Sequence, residues 1–308
     1  MNNKNIKNVA QSVRERLKII AHRQNREHQD LTLSYLIERF LYRLSKAGYG
    51  EEFYLKGALM LQVLGEKCTR ATRDIDFMSQ SHLSPEKTRE IIKEVMTFPV
   101  SDDGVTFDSE TLKVTDIQRD ARQRGVRASF VGNIGTARAT LQLDIGPYYK
   151  IIPSPIAFDF PELLSYGSPS LLGYSPESII ADKFEAMISR DDTNTRLKDF
   201  YDIWILSTAR RFDYLSLREA ITETFAFYKT PIPIDIPFCF NDAFRGDAAK
   251  INQWRAFLRN AELEISLDFY QINRSVELFL MPVCEAINQK SPKNLYWVPN
   301  RSWSEVLG

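Results

Sequence analysis

The stretch RATRDIDF, running from Arg70 to Phe77, places two carboxylates, Asp74 and Asp76, on either side of a single isoleucine. In an extended strand, residues two apart point to the same side. Asp74 and Asp76 therefore face together, while Ile75 and Phe77 face the opposite, apolar side. Two like charges this close repel unless a cation lies between them or one takes up a proton. Mg2+ fits such a position, being a hard ion that prefers oxygen ligands and is commonly held by one or two carboxylates plus substrate phosphates. The plainer alternative is a solvated strand end with alternating polar residues, so the surrounding sequence has to decide.

With 308 residues, the chain is long enough for one large domain or two modest ones. Its 44% hydrophobic and 26% charged residues exclude a disordered chain. Forty Lys and Arg balance 40 Asp and Glu overall, yet residues 1–50 hold ten basic and four acidic side chains. Such a basic N-terminal arm suits a polyanion; a solvated helix face accounts for it equally well. Cys68, Cys239 and Cys284 are too few and too scattered for a disulfide framework and form no CxxC pair, so they are expected as buried thiols in a reducing compartment, without zinc. The N-terminal stretch lacks an apolar leader core and no run reaches membrane-spanning length, which makes the cytoplasm the expected location and no membrane an expected partner. His22, His28 and His82 stand in polar stretches and are expected at the surface.

The periodicity predicts two opening helices, one near 9–26 and one capped at Thr32 with Tyr35, Leu36, Phe40 and Leu44 at helical spacing. In FYLKGALMLQVLG, a short strand at 53–55 runs through Lys56 and Gly57 into an apolar helix from Ala58 to about Leu64. A strand, a glycine turn and a helix start present free backbone N–H groups, a plausible phosphate cradle. After Asp76 come a helix at about 84–96 and three strand-like stretches; in the last, Leu141, Leu143 and Ile145 share one face, and Thr140, Gln142 and Asp144 the other. Asp144 is thus a third strand carboxylate, which a meander could bring beside Asp74 and Asp76. Further on, Ser175 caps a helix with Pro176 at its first position. Its apolar face of Ile179, Ile180, Phe184 and Met187 also holds Lys183, which either snorkels outward or reaches into a cleft. A second helix starts near Leu197, with Asp199 and Asp202 three residues apart, and the remainder is helix-rich with a proline-rich break at TPIPIDIPF.

A glycine turn before a helix, an Asp-x-Asp strand, a later strand aspartate and a downstream helical lysine together resemble the nucleotidyltransferase superfamily that includes DNA polymerase β. Within it the chain resembles the AbiEii/AbiGii toxin family through the words RFLYRLSKAGYGEEFYLKGALML, RATRDIDF, LDIGPY, YSPESIIADKFEAMISR and LKDFYDIW, in family order over roughly residues 10–206. A departure is Ala58, where many nucleotidyltransferases place Ser or Gly after the turn glycine; it removes one phosphate hydrogen bond and leaves the backbone donors.

The resemblance implies an α+β fold with a mixed sheet flanked by helices, divided as a helical arm (1–50), a nucleotidyltransferase core (51–175) and a largely helical C-terminal region (176–308). It implies a toxin of a toxin–antitoxin or phage-defence (abortive infection) system that moves a nucleotide from an NTP to an acceptor, with RNA such as the tRNA 3′ end the leading candidate and a cognate antitoxin encoded alongside. Asp74, Asp76 and Asp144 would hold Mg2+, or Mn2+ in its place. Asp144 could help deprotonate the attacking hydroxyl. Lys183 would neutralise triphosphate charge, and Asp199 would orient Lys183 or touch nucleotide, with Asp202 beside it. Lys56, Gly57, Ala58, Arg70 and Arg73 complete the nucleotide-binding set, although Arg73 could simply pair with a neighbouring carboxylate. Tyr148 and Tyr149 are candidates for stacking a base. The alternatives are an NTP-dependent modifier of a protein hydroxyl and a regulatory nucleotide-binding module that no longer catalyses; the presence of all three acids favours an enzyme.

Overall fold

The computed structural model describes residues 8–65, 72–120, 123–289 and 294–305. Its contacts gather the chain into two compact units, one made of Met1–Val63, Ala71–Tyr148 and Ile156–Gly173, the other of Leu64–Arg70, Tyr149–Pro155 and Tyr174–Gly308. Arg70 and Cys68 fall outside the described residues.

The first unit runs α1 (Val9–Gln24), α2 (His28–Lys46), β1 (Phe53–Lys56), α3 (Ala58–Val63), β2 (Asp74–Ser79), α4 (Pro85–Thr97), β3 (Thr106–Asp120), β4 (Gln123–Ile134), β5 (Ala137–Gly146), β6 (Ile156–Asp159) and β7 (Ser170–Gly173). The strands form one sheet in the order β3-β4-β5-β2-β1-β7-β6. The β2/β5 and β1/β7 pairs are parallel and the rest antiparallel, so the sheet is mixed, as expected. On β5 the alternation behaves as the sequence predicts: Leu141, Leu143 and Ile145 are buried. The α2 helix lies over this apolar face, with the Phe40 ring 5.2 Å from that of Phe130, the register partner of Leu141. Burial of such aromatic and aliphatic side chains is the main stabilising term in a sheet-and-helix layer.

Two local expectations shift. The α2 helix begins at His28 rather than after a Thr32 cap, because burying Leu31 and Leu33 extends it back by a turn; Thr32 lies inside the helix, where its hydroxyl donates to His28 O at 2.9 Å. The N-terminal segment is not a separate arm, since α1 and α2 belong to the same unit as the sheet. Part of its basic excess is spent internally. Arg39 is fully buried against Glu38 at 2.7 Å, and Arg43 grips Asp103 through two bonds of 2.8 and 3.0 Å.

The second unit holds α5 (Pro176–Arg190), α6 (Leu197–Ala209), β8 (Phe212–Asp213), α7 (Tyr214–Tyr228), α8 (Asp242–Gly246), α9 (Ala248–Asn260), α10 (Phe269–Gln289), β9 (Leu295–Trp297) and β10 (Trp303–Glu305). The start of α5 is as predicted: Ser175 Oγ accepts from Ser178 N at 3.2 Å, with Pro176 in the first turn. Phe200 centres the core, with Phe240, Phe244 and Phe269 rings within 6.0 Å. Three strands of two or three residues make a small β10-β9-β8 sheet that is too short to announce itself by alternation. Cys239 and Cys284 are buried free thiols. Among the described residues, no helix is long and apolar enough to cross a membrane.

Candidate active site

Lys56, Asp76, Asp144 and Arg127 lie in one row across four adjacent strands of the first unit. Lys56 on β1 is the register partner of Asp76 on β2, Asp76 of Asp144 on β5, and Asp144 of Arg127 on β4. Register partners share a face, so the row reads cation, acid, acid, cation on the side of the sheet away from Phe77 and Leu143. The neighbouring row pairs Asp74 with Gln142, whose Nε2 donates to Asp74 Oδ1 at 3.1 Å. Asp74, Asp76 and Asp144 therefore share one face, the arrangement that the i, i+2 spacing and the later strand acid predict.

Gly57 follows Lys56 with φ of +69°, a left-handed conformation that favours glycine. Its lack of a side chain has a second use. A Cβ built there would lie 3.1 Å from both Cβ and Cγ of Asp76 and closer still to Oδ2. The turn thus brings bare backbone against the Asp76 carboxylate. Ala58 opens α3 and is buried, and the six residues of α3 match the short apolar helix expected from the sequence. Arg73 is exposed and its Nη2 sits 3.4 Å from Asp30 Oδ1, the pairing with a neighbouring carboxylate that the sequence left open.

Arg127 is the residue that sequence reading passed over. Its Nε and Nη2 donate to the two oxygens of Asp144, both at 2.7 Å. That hydrogen bonding, assisted by the charges of Asp144, Asp74 and Asp76, raises the guanidinium above its ordinary value despite partial burial. The signal was present in RQRGVRASF, but one basic residue in an alternating strand reads as solvent-facing until its register is known. The donor chemistry of Asp74 and Asp76 suits a hard divalent ion. Among the described residues, no group of three or more His, Cys, Asp or Glu is placed to hold a metal ion, and Asp144 is held by Arg127.

The other expected residues form a cluster within the second unit. Lys183 Nζ donates to Asp199 Oδ1 at 3.2 Å and to Asp202 Oδ2 at 2.5 Å, and Arg196 Nε donates to Asp199 Oδ2 at 2.7 Å. Both aspartates are fully buried. Burial alone would raise the Asp199 carboxyl, but Lys183 and Arg196 overcome this and hold it below its ordinary value. Lys183 therefore does not snorkel; it is the buried cation of a carboxylate pair. Tyr149, a candidate for stacking a base, is buried with its ring on Phe227 at 4.4 Å and its hydroxyl on Asp182 at 2.8 Å, whereas Tyr148 is exposed.

The profile of the nucleotidyl transferase AbiEii toxin family of type IV toxin–antitoxin systems matches residues 39–275. The chain belongs to the AbiEii family. It is accordingly a nucleotidyltransferase toxin, and membership implies a cognate antitoxin. Among solved structures the AbiEii chain resembles JHP933 from Helicobacter pylori, at 14% identity and a TM-score of 0.47, over 86% of this chain and 95% of that one. It also resembles an antigenic nucleotidyltransferase-like protein from Paracoccidioides brasiliensis, at 10% identity and a TM-score of 0.33, over 73% and 84% of the two chains. No curated protein matches the chain.

Proposed function

We propose that this AbiEii toxin transfers a nucleotide from an NTP to the 3′ end of an RNA, a tRNA being the favoured acceptor, with the acidic face of the β2/β5 pair as the reaction centre. The observation that carries this reading is the in-register pair Asp76 and Asp144 beside the Gly57 turn. The acceptor hydroxyl oxygen attacks the α-phosphorus of the NTP, the bond to the β-phosphate bridging oxygen breaks, and pyrophosphate leaves. Asp144 takes the hydroxyl proton, a role suited to a carboxylate on this face. Asp74 and Asp76 are the oxygen donors that would hold Mg2+, or Mn2+ in its place, and the bound ion would supply positive charge to the attacking and leaving oxygens. Lys56 and the Gly57 backbone contribute cationic and N–H groups to the phosphates.

The RNA acceptor is supported by family resemblance and by exposed basic residues on α1, Lys18 and Arg23 among them. Lys183 is assigned to triphosphate charge on the resemblance alone, with Asp199 and Asp202 as the carboxylates that hold it ready. The test is incubation of purified protein with each labelled NTP, Mg2+ and total RNA or lysate. The expected result is label on an RNA of tRNA size, absent with Asp76→Asn. Label on a polypeptide would replace the RNA acceptor by a protein hydroxyl, and no label under any NTP would overturn nucleotidyl transfer as its activity.

A further inference from the structure

We propose that Arg127 is a positioning residue that competes with the divalent ion for Asp144, so that metal and nucleotide phosphate bind this face cooperatively. The inference rests on the nucleotidyl-transfer reading and deepens it.

The geometry gives the direction of the competition. Within the sheet, β5 lies between β2, which carries Asp76, and β4, which carries Arg127. The guanidinium engages Asp144 through Nε and Nη2, one bond to each carboxylate oxygen, both at 2.7 Å. A two-pronged grip of this kind fixes the plane of the carboxylate and occupies both of its oxygens. An ion shared by Asp76 and Asp144 has to take an oxygen of Asp144 that the guanidinium already holds.

The grip is also built to be exchangeable. The Asp144 side chain is 11% exposed, but Arg127 is 42% exposed. The cation can therefore leave its partner without being stranded in an apolar interior. A planar guanidinium fits phosphate as well as it fits carboxylate. When a triphosphate arrives, Arg127 gains a second anion of equal fit, and the Asp144 oxygens are released to the ion. Each ligand thus removes the obstacle to the other. Coupling of this kind is reciprocal: phosphate tightens metal binding by the factor by which metal tightens phosphate binding.

The experiment measures Mn2+ binding to the full chain by calorimetry and by the loss of the free-ion paramagnetic signal, with and without inorganic pyrophosphate, and needs no turnover. Wild-type protein is expected to bind Mn2+ weakly alone and roughly tenfold more tightly with pyrophosphate, after correction for Mn2+–pyrophosphate association. Arg127→Gln should bind Mn2+ tightly without pyrophosphate and show little further gain. Arg127→Lys, which keeps the charge and loses the fork, should fall between the two. Equal or weaker Mn2+ binding by Arg127→Gln, with wild-type thermal stability, would overturn the proposal. If Arg127→Gln does not fold, the wild-type comparison decides: an affinity unchanged by pyrophosphate overturns it. Failure of the underlying reading looks different, because then neither wild type nor variant binds Mn2+ and Asp144→Asn changes nothing.

Discussion

Gly57 and Asp76 are packed backbone against carboxylate, so closely that a Cβ on Gly57 would stand 3.1 Å from both Cβ and Cγ of Asp76. The contact joins the turn after β1 to the acid in the middle of β2, and it gives the glycine a reason that owes nothing to phosphate. Gly57→Ala meets two obstacles. The left-handed backbone at +69° costs a non-glycine residue about 1–2 kcal/mol. The new methyl also has to push the Asp76 side chain aside. A carboxylate end can swing away, so the fold should survive with a lower melting temperature, while transfer falls far more than stability does. Thermal unfolding and the rate of label transfer on the same preparation check this; a variant with reduced stability and an undiminished rate would show that the placement of Asp76 is irrelevant.

The charge row changes what removal of Asp76 should do. From the sequence alone, deleting one of three crowded carboxylates relieves repulsion and leaves stability unchanged or slightly raised. In the structure, Asp76 stands opposite Lys56, which is only 4% exposed, and beside an Asp144 already balanced by Arg127. Asp76→Asn therefore removes the charged acid that stands opposite the buried Lys56. The expected cost is about 1 kcal/mol of stability, with transfer reduced by roughly a hundredfold or more, the scale of a lost catalytic group. Urea unfolding and transfer assays measure both, and a more stable variant would mean that repulsion between the acids outweighs the pull of Lys56.

The contrast shows where sequence reading reaches and where it stops. Strand alternation and the Asp-x-Asp spacing put Asp74, Asp76 and Asp144 on polar faces correctly, because a period of two is a local property. The cap at Ser175, followed by a proline at the first helical position, was equally legible. Pairings between strands are not local. Nothing near Arg127 announces Asp144, 17 residues away, and nothing near Arg43 announces Asp103, 60 residues away. Long basic side chains look alike in sequence whether they serve solvent or a buried acid, so the apparent N-terminal charge excess overstates what is free to meet RNA. The Lys183 cluster was half legible: Asp199 and Asp202 were named from the sequence, but that Lys183 is buried between them rather than snorkelling, and that Arg196 joins, emerges only from the packing of α5 against α6.

Lys183→Ala should destabilise the second unit strongly. It strips the shared cation from two fully buried carboxylates, and breaking a buried pair costs about 3–5 kcal/mol. Loss of transfer in that variant would not by itself assign Lys183 to nucleotide. Replacing the group together, as Lys183→Met with Asp199→Asn and Asp202→Asn, removes all three buried charges and should recover most of the lost stability. If Lys183 serves the triphosphate, this folded variant stays inactive. Return of transfer with stability would make the lysine a structural ion only.

Asp199 makes the last prediction, on acid stability. Burial pushes its carboxyl up, and Lys183 and Arg196 pull it down further, leaving it below the ordinary value of 3.8. A carboxyl with a folded value below its unfolded one binds fewer protons when folded, so protonation favours the unfolded chain. The stability it supplies is complete above the unfolded value and is lost as pH falls from about 3.8 through the folded value. Asp199→Asn cannot titrate at this position. It should be less stable than wild type near pH 7, because Lys183 and Arg196 each lose a charged acceptor, at a cost of about 1–3 kcal/mol. On acidification its urea midpoint should fall less steeply than that of wild type, so the two curves converge below about pH 4. Parallel curves from pH 7 to pH 3 would show that Asp199 titrates alike in the folded and unfolded chains, and that its two cations do not stabilise the ionised form.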